Sequence, residues 1–255
     1  MEKEGKYIYC IIGTRQERNF GPIGIGGRGD DVLTIGYEDL SMVVSNHLMT
    51  KLVVNRENML THERVIEEVM REFTVLPVRF CTIAASADEI RNLLDRRYKE
   101  FKSLLRDMDH KVELGVKTVW KNMDAIFKEI VKENNGIRRL KEKIQNDTDK
   151  KNVQVKIEAG RMVEQVILKK KEREAERVID ALRRTSFDYR LNKPFADEMF
   201  MNASFLVDKG RLKEFDNIMD ELGSEYKDRV KFMYAGPLPP YNFVNLVIYP
   251  EAWEE

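Results

Sequence analysis

The sequence predicts an α+β protein in three blocks: a sheet-and-helix domain over 1–120, a helical hairpin over 121–183 and a second α+β domain over 184–255. Three observations carry this reading. Short β-branched, apolar runs alternate with helical stripes in the first block. A long stretch of almost purely helical periodicity follows. Strand-like runs then return, with one helix between them. Strands and helices mixed in this way give a sheet whose apolar face is covered by its helices.

The first block opens with Lys6-Tyr7-Ile8-Tyr9-Cys10-Ile11-Ile12, strand formers closed by Gly13. A polar, glycine-rich loop runs to about Asp31. Val32–Tyr37 and Leu40–Ser45 are two strands of a hairpin, although the Glu38-Asp39 pair between them is not a favoured turn. Met59, His62, Ile66, Val69 or Met70, and Phe73 recur at helical spacing. The run from Thr74 to Ile83 is too apolar and β-branched for a loop. Ser86 with Glu89 has capping-box spacing, and a helical stripe follows from Ile90 through Leu94, Phe101 and Leu105 to Met108. Val112, Leu114, Val116 and Val119 alternate with Glu113, Lys117 and Trp120 as a strand.

In the second block, Met123–Val131 and Ile137–Ile144 form one stripe that Asn134-Asn135-Gly136 can interrupt. A second helix carries Val155 through Leu182, with a turn at Asn146–Asp149 between the two. Such a pair makes a helical hairpin. Lys169–Glu174 has no apolar face and is expected in solvent or against another molecule. The third block holds strands at Phe187–Leu191 and Met199–Val207. A helix follows from an Asp208 cap to Gly223, then strands at Val230–Tyr234 and Phe243–Tyr249.

The 255 residues are 42% hydrophobic and 35% charged, enough apolar material for a packed core and too much for a disordered tail. Basic and acidic residues number 44 each, which weighs against a dedicated nucleic-acid binder. No apolar run approaches the roughly 18 residues of a membrane span, and Met1-Glu2-Lys3-Glu4 is not the start of a signal peptide. Cys10 and Cys81 cannot build a disulfide framework or a four-cysteine zinc site. A soluble, cytoplasmic protein is expected, with no cofactor.

Catalytic patterns fail on inspection. Gly24-Ile25-Gly26-Gly27-Arg28-Gly29 fits the G-x-G-x-x-G spacing, but that motif must open a helix onto a pyrophosphate, and here a strand follows. His62-Glu63 begins a zincin motif whose second histidine position is Ile66. His62 lies on an apolar stripe and reads as a core-edge histidine bonded to backbone. His47 and His110 have no ligand spacing. Each cysteine reads as a small buried hydrophobe, and no nucleophile elbow is present. No catalytic, cofactor-binding or metal residues are assigned, and the chain does not read as an enzyme.

Arg79 is more informative because it interrupts a run that otherwise wants burial, where an unpaired charge costs several kcal/mol or more. It must find an internal carboxylate or sit at an exposed edge. Pro77 cannot donate a ladder bond and places its strand at an edge or bulge. Leu76, Pro77, Val78, Arg79 and Phe80 are therefore the candidate partner-binding residues, by strand addition or charge pairing. Gly236-Pro237-Leu238-Pro239-Pro240-Tyr241 reads as a rigid connection between strands.

Taken in order, these segments resemble the gas vesicle accessory proteins F and L, the GvpF/GvpL family. The matching text is Lys6-Tyr7-Ile8-Tyr9, Leu40-Ser41-Met42-Val43-Val44-Ser45, His62 with Val65, Val75-Leu76-Pro77-Val78-Arg79-Phe80 and Val112–Lys117. It continues through Ala203-Ser204-Phe205-Leu206-Val207 and Gly236–Val244. The family commonly has glycine after Arg-Phe, where this chain has Cys81, and tryptophan between the first prolines, where it has Leu238.

The resemblance implies a non-enzymatic accessory role in gas vesicle assembly. It implies contact with the small hydrophobic shell protein GvpA, chiefly through the N-terminal domain, and with other gas vesicle accessory proteins. The role would be to assist nucleation of the shell or prevent aggregation of its subunits, in the cytoplasm and in association with gas vesicles. It also implies a ferredoxin-like C-terminal domain. Two rivals stand beside this reading. An RRM-like RNA-binding module would need an aromatic stacking strand, which is not evident. An enzyme without a recognisable motif would need a deep pocket of convergent titratable groups.

Overall fold

The computed structural model describes residues 4–49, 52–146 and 153–248. Its contacts divide the chain into two compact units, Met1–Glu113 with Asp208–Gly210 and Gly236–Glu255, and Leu114–Val207 with Arg211–Ala235.

The first unit is built on β1 (Glu4–Ile12), β2 (Leu33–Tyr37), β3 (Leu40–Leu48), β4 (Val75–Pro77) and β5 (Ile83–Ala84). They form an antiparallel sheet in the order β2-β3-β1-β4, with β5 also on β1. The unfavourable hairpin turn has a physical account. Glu38 adopts φ 53°, and the Asp39 carboxylate accepts from Tyr98 Oη and Lys102 Nζ, so helix contacts hold the turn. The β1–β3 register slips at Tyr9, because Ile8 faces Val44 and Cys10 faces Val43. Such a bulge re-aims the side chain it carries.

Three helices cover this sheet: α1 (Arg56–Met70), α2 (Ala87–Arg96) and α3 (Tyr98–Met108). The inward stripe of α1 is His62, Val65, Ile66 and Val69. Each buried aliphatic contributes about 1.5–3 kcal/mol. Met59, the first residue of the expected stripe, is 53% exposed instead. Ser86 caps α2 by accepting from Glu89 N–H, while the Glu89 carboxylate reaches back to Ala85 N–H. The stripe from Ile90 to Met108 predicts one helix, yet the backbone leaves helical geometry at Arg97, φ −108° and ψ 18°. There the Arg97 guanidinium bonds the Val247 carbonyl at 2.7 Å and the Glu100 carboxylate. Two shorter helices therefore share what looks like one stripe.

The second unit contains most of β6 (Lys111–Trp120), α4 (Met123–Glu133), α5 (Asn135–Asn146), α6 (Val153–Leu182), β7 (Ser186–Leu191), most of β8 (Met199–Asp208), α7 (Leu212–Glu225) and most of β9 (Val230–Leu238), while Lys111–Glu113, Asp208 and Gly236–Leu238 belong to the first. Its sheet runs β7-β8-β6-β9. A β-α-β-β-α-β chain whose first strand lies between the third and fourth has ferredoxin-like topology. Here β6 is that first strand and α4–α6 fill the first crossover. The ferredoxin-like sheet thus recruits the strand that periodicity groups with the first block.

Several local readings need correction. Glu113 is 3% exposed and Trp120 2%, so both are buried although they alternate with the apolar positions of β6. Asn134 breaks the long stripe between α4 and α5 by accepting from Gly136 and Ile137 N–H. Most of the expected Asn146–Asp149 turn lies outside the described residues. Lys169–Glu174 does not lie wholly in solvent: Lys170 is 5% exposed and meets Glu129 at 3.1 Å. Glu174 accepts from Trp120 Nε1 and Arg229, and Arg229 also chelates Glu129. Polar side chains thus bind α4 and α6 to the sheet where an apolar stripe is missing.

Asp208 does not cap α7. Its carboxylate accepts from Gly210 N–H in a short 3₁₀ turn, and α7 continues past Gly223 to Glu225. Within the expected strand Phe243–Tyr249, residues 244–248 join no ladder. The Glu113 carboxylate holds Asn242 by its backbone N–H and side-chain amide at 2.8 and 2.6 Å, which fixes this segment by side-chain bonds instead.

A candidate docking surface on the first unit

The five candidate partner-binding residues divide sharply. Leu76, Pro77 and Val78 are buried, with α1 and α3 packed against β4. β4 ends the sheet, as Pro77 predicts, but at these residues it offers no open edge to solvent. Arg79 is exposed and Phe80 half-buried. Arg79 forms no ion pair with a described residue. Its guanidinium lies 3.5 Å from Asn245 Oδ1. The internal carboxylate that would explain a buried arginine is therefore not its partner, and the exposed reading holds.

His62 fixes the backbone beneath Arg79. Its Nε2 lies 3.2 Å from the Val78 carbonyl oxygen and its Nδ1 2.9 Å from Tyr7 Oη. A carbonyl only accepts, so Nε2 carries the proton and Nδ1 accepts from the tyrosine. Tyr7 Oη accepts in turn from Cys81 N–H at 3.2 Å. The ring stacks on Tyr9 and meets Phe80 edge-on, with centroids 5.7 Å away in both cases. Tyr9 Oη accepts Ile25 N–H at 2.8 Å, which pins the glycine-rich loop to the sheet. Burial lowers the His62 pKa to about 4, and desolvation pushes Tyr9 up to about 12. With both ring nitrogens committed, His62 organises packing and is not a free base. As the sequence suggests, it is a core histidine bonded to backbone. Cys10 is buried as expected, whereas Cys81 is exposed with φ 70°.

Beside these residues lies a cavity of about 620 Å³. Val54, Met59 and Leu60 give one wall, Val78, Phe80 and Tyr241 the other, and Arg56, Glu63 and Arg79 bring charge to it. Side-chain caps fix the turn that leads into α1. Asn55 Oδ1 accepts from Asn58 N–H, and Asn58 Nδ2 donates to the Val53 carbonyl at 2.9 Å. Val54 is 71% and Leu60 39% exposed. Arg56 and Arg79 form no ion pair with a described carboxylate, so the cavity combines exposed hydrocarbon with two cations and one carboxylate, Glu63. The sequence points only to the Arg79 side. The missed signal is Val53-Val54 directly before a helix cap, together with Leu60, which falls off the buried stripe.

The sequence model described as "Gas vesicle synthesis protein GvpL/GvpF" matches residues 5–245. Gas vesicle protein F1 of Halobacterium salinarum is 28% identical over 97% of this chain and 96% of its own length. Gas vesicle protein F of Haloferax mediterranei is 25% identical over 95% and 94%. The fold superposes on the crystal structure of GvpF from Anabaena sp. PCC7120 with a TM-score of 0.84, covering 96% of this chain and all of that one at 20% identity. GvpF from Microcystis aeruginosa gives 0.80 at 22% identity, over 95% and 99%. With the family's sequence model spanning both units and the fold matching throughout, the chain belongs to the GvpL/GvpF family of gas vesicle synthesis proteins.

Proposed function

We propose that this gas vesicle accessory protein works without catalysis, by holding the hydrophobic shell protein GvpA in the cavity beside Arg79 until the subunit is delivered to the growing shell. The observation that carries this reading is the exposed wall of Val54, Met59 and Leu60 facing Arg79 and Phe80. A subunit awaiting assembly presents apolar surface, which is prone to aggregate. A cavity of this kind covers part of that surface, while Arg56 and Arg79 select a segment that also carries a carboxylate. The affinity is modest, because a helper that bound tightly would not release its client. The work takes place in the cytoplasm at forming gas vesicles, beside other accessory proteins.

Co-expression with the shell protein tests this. Wild type yields a soluble complex, and R79E and M59D each reduce its recovery at least about tenfold. Both positions are exposed, so the variants keep the fold, which circular dichroism checks. Val78 is a poor probe, since an aspartate there would enter the core. Folded R79E and M59D variants that retain the client as well as wild type would sink the proposal.

A further inference from the structure

Among the described residues, β7 ends the second unit's sheet, and β8 is its partner on one side. Asn192 N–H donates to Asn202 O, and antiparallel pairs alternate. Arg190 and Asp188 therefore direct their backbone groups toward β8, while Tyr189 and Leu191 direct theirs to the free edge. At Tyr189 both outward groups are already clasped. Its N–H donates to Asp188 Oδ1 at 2.8 Å, and its carbonyl accepts from Arg190 Nη1 at 3.1 Å. Asp188 and Arg190 are joined at 2.8 Å across the same residue. On either side Phe187 is 64% and Leu191 62% exposed.

The segment Phe187-Asp188-Tyr189-Arg190-Leu191 is complementary to itself when reversed. We propose that β7 is a pairing edge for a second copy of this chain, antiparallel about Tyr189. That register sets Phe187 opposite Leu191 and Asp188 opposite Arg190, twice over by symmetry. The ion pair within each strand becomes an ion pair between strands. The two Tyr189 residues then exchange the backbone bonds that their own side chains had occupied. Since the clasp must open first and only a short strand is covered, the dimer is weak and reversible.

Sedimentation equilibrium on the full chain, from about 10 μM to about 1 mM, reads this out. Wild type forms a dimer with Kd on the order of 100 μM, as suits a contact well below a standard interface. D188R and R190D each place like charges opposite one another and weaken self-association at least about tenfold. Mixed in equal amounts, the two variants are complementary again and associate as wild type does, a rescue that loss of folding cannot imitate. A wild type that stays monomeric, single variants that dimerise normally, or a mixture that fails to associate would each overturn the proposal.

Discussion

His62 Nε2 lies 3.2 Å from the Val78 carbonyl oxygen, so the middle of α1 is bonded to the segment that presents Arg79. The cation on the surface owes its position to a neutral histidine in the core.

That neutrality predicts acid sensitivity. The unfolded chain protonates this imidazole near pH 6.5, whereas the folded protein resists until about 4. The contribution is therefore complete above 6.5 and is lost as pH falls from 6.5 toward 4, by about 3 kcal/mol in all. His62→Phe removes this titration. Urea unfolding at a series of pH values should show the stability difference, wild type minus variant, shrinking by that amount across the window. Parallel pH profiles would refute it.

Cys81 adopts φ 70°, a left-handed conformation costing a non-glycine residue roughly 1 kcal/mol. Cys81→Gly is expected to stabilise the protein by about 0.5–1 kcal/mol and raise Tm by about 1–2 °C. Cys81→Val should do the reverse. Thermal unfolding of the three proteins decides it, and a Tm that falls with glycine would contradict the strain argument.

Glu113 holds Asn242 by two hydrogen bonds from a buried position. Glu113→Ala should cost about 2–3 kcal/mol, since buried hydrogen-bonding groups lose a charged partner. It should also expose the 241–248 segment to protease. Limited proteolysis with mass mapping tests this, and cleavage unchanged from wild type would count against the anchor.

Glu174, 7% exposed, accepts from both Trp120 Nε1 and Arg229. Glu174→Ala should destabilise by about 2–3 kcal/mol, leaving the indole N–H buried without its acceptor. In a W253F background the Trp120 emission should shift to longer wavelength, and an unshifted spectrum would argue against this role.

Element type was legible wherever one physical cause dominated. The β1 run, the two strands flanking Glu38-Asp39, most of the α1 stripe and the break at Asn134 follow from periodicity or capping chemistry. What sequence alone obscured depended on partners far along the chain. The interruption at Arg97 is stabilised through Val247, Glu113 is buried to receive Asn242, and Lys170 and Glu174 are buried because Glu129 and Arg229 meet them. Charged residues at such positions look like solvent faces until their partners are known. The candidate site shows the same limit. Arg79 stands out against its neighbours, but Val54 and Leu60 reveal themselves only once α1 is oriented.

The first unit is discontinuous in sequence, and this bears on biosynthesis. Tyr241 lines the cavity and Asn242 occupies the Glu113 anchor, yet both are translated after the whole ferredoxin-like unit. A nascent chain on the ribosome therefore presents Val54, Leu60, Val78 and Phe80 before Tyr241 is made, and that part of the lining is completed only after the ferredoxin-like unit has been translated. A fragment cut after the first contiguous stretch would have the same gap.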